Sequence, residues 1–266
     1  MNPRENVMSA SSPSELRAII RAGQHRGHTV GLAPEYAQGN LAILPQSLAA
    51  DFIQFAYLNP QACPVIAMGA PGARAIVETG TTDICTELPA YYVYRNGELA
   101  AEVHDISEYW RDDLVTFVIG CSYSFEGELL KYDVPLRHME EGHEVPMFVT
   151  NIPNRKAGPF GGNMVVSMRP MKAREAIRAV QVTTRFPRVH GAPVHIGDPS
   201  LIGIADIRKP EYGLPSTIHD DEIPVFWACG VTPQQAIKSA RPELAIAHKP
   251  GHMLLTDIKN SHLAVL

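Results

Sequence analysis

The chain has 266 residues, 45% of them hydrophobic and 19% charged, with a formal net charge of −5. That length supports a large core and one or two domains, and the balance is that of a globular protein rather than a disordered one. No run of Lys or Arg exceeds two residues, which argues against a nucleic-acid partner and its basic stripe but leaves room for a small anionic metabolite held by a few placed Arg.

Cys63, Cys85, Cys121 and Cys229 are far apart and form no C-x-x-C pair. Neither a zinc ribbon nor a disulfide framework is expected, and free thiols fit a reducing cytoplasm. Residues 1–14 are polar with no apolar signal core, and no apolar run approaches the ~20 residues of a membrane helix. The expectation is a cytoplasmic protein with no membrane partner, open to homo-oligomerisation.

In chain order, residues 14–22 predict a helix capped by Ser14, with Leu16, Ile19 and Ile20 on one face. Residues 23–40 are polar and Gly-containing and read as an ordered loop or lid, and 41–45 are a short apolar stretch. Residues 48–59 predict a helix with Phe52, Phe55 and Ala56 inward, ended by Asn59-Pro60. A buried strand follows at 64–68. The run Tyr-Tyr-Val-Tyr-Arg, then Asn96-Gly97, then Glu-Leu-Ala predicts a hairpin over 91–101 with a two-residue turn. A strand, a cysteine and a helix span 114–132. Strands at 145–152 and 164–168 flank a Gly-rich loop at 156–163. Residues 172–185 predict a helix with Ala176, Ile177 and Val180 inward. Short strands are expected at 191–196 and 200–204, a second strand–Cys–helix unit from 224, and apolar strands at 244–247 and 253–255 around Pro250-Gly251.

Strands alternating with helices make the class α/β or mixed α+β. The expected organisation is a parent domain, 1–134 with 224–266, carrying both strand–Cys–helix units, and a smaller inserted α+β domain at 135–223.

The two units align in register. Phe117-Val118-Ile119-Gly120-Cys121-Ser122-Tyr123-Ser124 matches Val225-Phe226-Trp227-Ala228-Cys229-Gly230-Val231-Thr232, so Cys121 aligns with Cys229 and Ser124 with Thr232. Thr232 is placed to cap its helix, with Pro233 at the first helical position and Gln235 completing a capping box; Ser124 is placed to cap the other. A thiol ahead of a helix N-terminus is favoured as thiolate, and the same end attracts carboxylates. Against this, a free Cys is most often a small buried hydrophobe, the reading preferred for Cys63 and Cys85.

Other candidates follow the same logic. Gly161, Gly162 and Asn163 offer a loop whose amides could hold a carboxylate or an oxyanion. Arg169, ending the next strand, is a candidate bidentate carboxylate partner. His195 is a candidate acid or base with Asp198 as its orienter, and His252, Glu126 or a cysteine could also move protons. A metal held by this His/Asp set with His248 or His252 is a weaker alternative, because the spacing matches no ligand signature. No nicotinamide, flavin or pyridoxal-phosphate motif is present, so no cofactor is expected.

Taken together, these segments resemble the D-glutamate cyclase family, whose bacterial members are assigned as hydro-lyases. The resemblance runs over nearly the whole chain. It rests on Gly31-Leu-Ala-Pro-Glu-Tyr36-Ala-Gln-Gly-Asn40-Leu-Ala-Ile-Leu-Pro45, Gly120-Cys-Ser-Tyr-Ser-Phe-Glu126, Gly158-Pro-Phe-Gly-Gly-Asn163-Met-Val-Val-Ser-Met-Arg-Pro170, His190-Gly-Ala-Pro-Val-His-Ile-Gly-Asp-Pro199, Pro224-Val-Phe-Trp-Ala-Cys-Gly-Val-Thr-Pro-Gln234 and Pro250-Gly-His-Met253. Glu35, Ala37 and Gly39 depart from the family's usual Gly, Val or Leu, and Ala.

The resemblance implies a two-domain α/β protein and a carbon–oxygen lyase. In one branch of the family the reaction is dehydrative closure of D-glutamate to 5-oxo-D-proline. On that reading Ser122, Ser124, Gly230 and Thr232, at the two helix starts, bind the carboxylates, while Arg169 with Gly161 and Gly162 stabilises the oxyanion. Two further readings stand beside it: a cofactor-independent racemase using Cys121 and Cys229 as opposed bases, and a non-catalytic metabolite-binding protein.

Overall fold

The computed structural model describes residues 12–265; most of the expected polar N-terminal stretch lies outside them. Ser12, not Ser14, caps the first helix, its hydroxyl accepting the Glu15 N–H at 3.3 Å. The described helices are α1 (Pro13–Arg21), α2 (Gln46–Leu58), α3 (Tyr123–Lys131), α4 (Arg137–Glu140), α5 (Ala173–Thr183) and α6 (Thr232–Ala240). The strands are β1 (Tyr36–Pro45), β2 (Val65–Met68), β3 (Tyr91–Arg95), β4 (Glu98–Val103), β5 (Leu114–Gly120), β6 (Met147–Pro153), β7 (Asn163–Lys172), β8 (His195–Ile196), β9 (Glu222–Ala228), β10 (Ala245–His248) and β11 (Leu254–Lys259). The class is mixed α and β, with short 3-10 turns between elements. No helix among the described residues is long and apolar enough to cross a membrane.

The strands form two sheets, and every described pairing is antiparallel. The larger runs β2-β5-β1-β10-β3-β4, with β11 also on β1; the smaller runs β6-β7-β9-β8. The strand of the second Cys unit, β9, is hydrogen-bonded to β7 in the smaller sheet, whereas β5 of the first lies in the larger. The two units therefore stand one in each sheet.

Strand β1 organises the larger sheet. One edge pairs with β5 from Gly39↔Gly120 to Pro45↔Leu114. The other edge changes partner, with residues 36–39 meeting β11 and Ala42 and Ile43 meeting β10. Asn40 and Leu41 sit at that fork.

Several local expectations shift for physical reasons. The β3–β4 hairpin turns on Asn96 and Gly97, both with positive φ (51° and 81°), as a type I′ turn requires. Helix α5 buries Ala176, Ala179 and Val182 and turns Ile177 to solvent, because its buried stripe runs at i, i+3 and i+6. Residues 199–202 form a 3-10 turn rather than a strand, capped by the Asp198 carboxylate, which accepts the Ser200 N–H at 2.9 Å.

The Gly-rich loop before β7 is tied down at Phe160. Its amide and that of Ala157 exchange hydrogen bonds with each other's carbonyls, and its ring lies 5.3 Å from Phe52 and 6.2 Å from Phe55. This cluster joins the smaller sheet to α2. Phe160→Ala is expected to cost about 3–5 kcal/mol by leaving a cavity there, read as a lower urea midpoint with an unchanged slope.

Candidate active site

The two Cys units deliver their cysteines to one small cavity. Asn40, Cys121, Ser122, Tyr123, Cys229 and His248 line it, and Val145, Met147, Gly251 and Met253 close it. Its volume is about 10 Å³, room for no more than about one water and far below the ~300–1,000 Å³ of ordinary ligand pockets. Entry of any ligand larger than a water molecule requires the cover to move. An apolar groove beside Tyr57, Cys63, Arg155 and Arg188 is larger and more open, but it contains none of the candidate site residues.

The repeat extends to hydrogen bonds. In each unit the residue two beyond the cysteine turns its N–H onto the thiol: Tyr123 onto Cys121 Sγ at 3.5 Å, and Val231 onto Cys229. Ser124 and Thr232, aligned in sequence, each accept an N–H from the neighbouring strand: Gln38 N–H at 3.0 Å and Val165 N–H at 3.1 Å. Neither caps its helix as expected, and Gln235 bonds to the Tyr212 hydroxyl rather than closing a capping box. The helix starts at Thr232, so Pro233 is its second residue. Their hydroxyls staple helix to sheet, because the helices begin so close to the strand ends that the adjacent strand's N–H is within reach.

Asn40 spans the two units. Its Nδ2 donates to the Gly120 carbonyl at 2.7 Å and to the Ile119 carbonyl at 3.3 Å. Gly230, just past Cys229, lies so close that a Cβ there would sit 1.9 Å from the same Nδ2. Gly230 thus acts through close approach to Asn40.

Helix position does not make these cysteines thiolates. Burial pushes the Cys121 thiol far up, outweighing the Tyr123 N–H that favours the anion. Burial likewise lifts Cys229 to about 11 against the Val231 N–H and the Arg169 charge. Loss of hydration exceeds what a partial helix-end charge returns, so both thiols are protonated at neutral pH.

Behind the cavity lies a buried ion cluster. Arg169, fully buried, donates to Glu126 through Nε at 3.0 Å and through its terminal nitrogens to Glu126, Ser167 (3.0 Å) and Ser122 (3.1 Å). Its guanidinium is held between Phe125 and Trp227, 5.5 and 5.4 Å from the rings. His138 Nε2 sits 3.1 Å from the Glu126 carboxylate. Burial raises the Glu126 carboxyl, but His138 and Arg169 outweigh it and hold the group below its ordinary value. Arg169 therefore reaches the cavity through Ser122, not as a free carboxylate clamp.

The remaining candidates lie elsewhere. His195 is on outer strand β8, its Nε2 2.7 Å from the main-chain oxygen of Asp198 rather than the carboxylate. Asp198 is exposed and used by Ser200. Gly161 packs on the Lys156 side chain, Gly162 faces Gln235 and Asn163 is exposed. None of these five lines the cavity, because the Phe160 anchor turns the Gly-rich loop toward α2 and β8 occupies the far edge of its sheet. His252 is buried in the cover, Nδ1 3.0 Å from the Pro250 carbonyl, and burial lowers its pKa. Among the described residues no group of three or more His, Cys, Asp or Glu is arranged to hold a metal ion. Asn40 and Tyr123 were not singled out from sequence as site residues, and His248 was named only as a possible metal ligand. The available signal was a polar residue interrupting or ending a buried apolar strand, the pattern that flagged the cysteines.

The D-glutamate cyclase family model matches residues 115–257, from β5 through β11. The chain belongs to the D-glutamate cyclase family. It is 56% identical to a Burkholderia lata protein named "Putative hydro-lyase" over 96% of this chain and 99% of that one. It is 58% identical to a "Putative hydro-lyase" of Paraburkholderia phytofirmans, again over 96% and 99%. The crystal structure of a nitrogen repressor-like protein from Methanococcus jannaschii aligns over 81% of this chain and 86% of that one, at 11% identity and a TM-score of 0.39; so distant a likeness carries no argument. The matched family segment contains both Cys units, the Arg169–Glu126 cluster and His248.

Removing one partner of the Arg169–Glu126 pair leaves a buried charge, so Arg169→Met is expected to lose about 3–5 kcal/mol in chemical unfolding. Glu126→Gln is expected to be less stable than wild type at neutral pH. Because Glu126 is held below its ordinary value of 4.5, its contribution is complete above that value and is lost as pH falls through the lower folded one. The gap between wild type and Glu126→Gln should therefore close on acidification.

Proposed function

We propose that this family member is a hydro-lyase that closes D-glutamate, or a closely related amino dicarboxylate, to its lactam with loss of water, in the cavity between Cys121 and Cys229. The observation that carries the reading is the convergence of two strand–Cys–helix units on one small cavity, together with the family membership. Two helix N-termini at that space favour a substrate bearing two carboxylates.

The reaction balances without an external reagent. The α-ammonium gives up two protons, its nitrogen bonds to the carbon of the γ-carboxylate, and one oxygen of that carboxylate leaves with both protons as water. The net charge of the substrate is unchanged. The cavity holds amine and carboxyl in contact, which supplies much of the rate. Each neutral thiol can give its proton toward the departing oxygen and regain one of the two protons the amine loses, so the pair relays both protons of the water. Arg169 orients Ser122 beside the first thiol from behind. The same reading places the reaction in the cytoplasm.

Two thiols at one cavity also suit a two-base racemase. That reaction needs one of them as a resting thiolate, which burial opposes at both positions. Proton NMR of D- and L-glutamate in deuterated water separates the readings. The cyclase reading predicts 5-oxoproline from one enantiomer with no deuterium at the α-carbon, and a fall of about 10²-fold or more in kcat for Cys121→Ala or Cys229→Ala. Deuterium entering the α-position of glutamate without lactam would sink it in favour of the racemase.

A further inference from the structure

His248 ends β10 at the fork in the larger sheet, where β1 has left β10 and not yet met β11. Its ring stands in for the missing strand: Nδ1 accepts the Leu41 N–H at 3.1 Å. A nitrogen that accepts carries no proton, so in the neutral ring the proton is on Nε2. The residue is fully buried, lines the cavity, and its Nε2 has no hydrogen-bond partner. An unpaired buried N–H is costly to a fold and points to a ligand that supplies the acceptor.

The main chain that carries the ring is held in place. The His248 carbonyl accepts Gln234 Nε2–H at 2.9 Å, and the Gln234 oxygen accepts the Tyr94 hydroxyl at 2.8 Å. The His248 backbone is thereby tied to α6 of the second Cys unit, while the ring is held to β1 by the Leu41 N–H. Asn40 spends its Nδ2 on carbonyls of β5, whereas the Tyr123 hydroxyl, which also lines the cavity, is like Nε2 without a hydrogen-bond partner.

We propose that His248 is a catalytic residue whose Nε2–H donates a hydrogen bond to the oxygen anion formed on the substrate. This rests on the cyclisation reading. As the amine nitrogen bonds to the γ-carboxyl carbon, the carbonyl π pair moves onto oxygen and that anion takes the Nε2–H bond. The pair returns when the second oxygen leaves as water, and no proton leaves His248. Burial pushes the imidazole down to about 3, so at neutral pH it serves as a fixed dipole, neither a counter-ion nor a proton donor.

Two variants test this. In His248→Asn the amide oxygen can still accept Leu41 N–H, but nothing occupies the Nε2 position. His248→Gln can return an N–H near that position. The expected result is a kcat about 10²-fold lower for Asn with KM nearly unchanged, partial recovery for Gln, and a melting temperature close to wild type for Asn but lower for Gln, which leaves the Leu41 N–H unpaired. A kcat for Asn within about threefold of wild type, or equal losses in both variants, would overturn the proposal.

A second readout does not require turnover. In protein labelled with ¹⁵N-histidine, the His248 Nε2–H signal should shift on titration with 5-oxo-D-proline or glutarate, and should be missing in His248→Asn. If wild type makes no lactam from glutamate, the cyclisation reading fails by itself and this titration, widened to other small carboxylates, judges His248. A ring signal that no carboxylate moves would overturn its role as donor.

Discussion

The site depends on a change of partners along one strand. Strand β1 must satisfy its backbone groups continuously, yet β10 and β11 diverge beside Asn40 and Leu41. A buried N–H left unpaired at such a fork is expensive, and the His248 ring takes the Leu41 N–H. The same divergence opens space between the sheets, and the Cys121 and Cys229 turns come to its edges. Asn40 then bridges the gap, bonded to the end of β5 and in contact with Gly230. Sheet continuity and site construction are thus one arrangement, fixed by Asn40 and His248.

The cover is built with comparable care. Gln38, buried on β1, donates to the carbonyls of Thr29 and Leu32. Thr29 in turn donates to Gly251 and accepts from Met253 N–H. The 23–35 loop and the 249–253 turn are therefore pinned to each other and to the strand that carries Asn40. Opening for a substrate means breaking these few bonds together, which fits a cavity smaller than its proposed ligand.

Much of the fold was legible because it is written in local patterns. The Asn96-Gly97 hairpin, the helix over Phe52 and Phe55, and the two Cys units all came from periodicity and turn chemistry. The repeat between Cys121 and Cys229 extends to strand register and hydroxyl bonding, since Gly120 opposes Gly39 as Ala228 opposes Val166. What sequence could not reveal was long-range pairing. Nothing local says that β9 joins β7 in a separate sheet, or that His248 meets Leu41 across 207 positions.

Burial, decided by tertiary packing, also reversed the electrostatic expectation at both thiols and turned Arg169 from an exposed clamp into an internal strut. His195 and Asp198 misled because adjacency in sequence suggested a pair, whereas the backbone turn directs the imidazole to a main-chain oxygen and the carboxylate to Ser200. Gly161 and Gly162 misled for a related reason: their conformational freedom serves the turn that Phe160 anchors.

The most direct test of the central claim is a crystal structure of the protein soaked or grown with 5-oxo-D-proline. The account predicts ligand density between Cys121 and Cys229, an oxygen within hydrogen-bond distance of His248 Nε2, and displacement of the cover near Gly251. Density in the apolar groove beside Tyr57 and Arg155, with the inter-sheet cavity closed and empty, would contradict it.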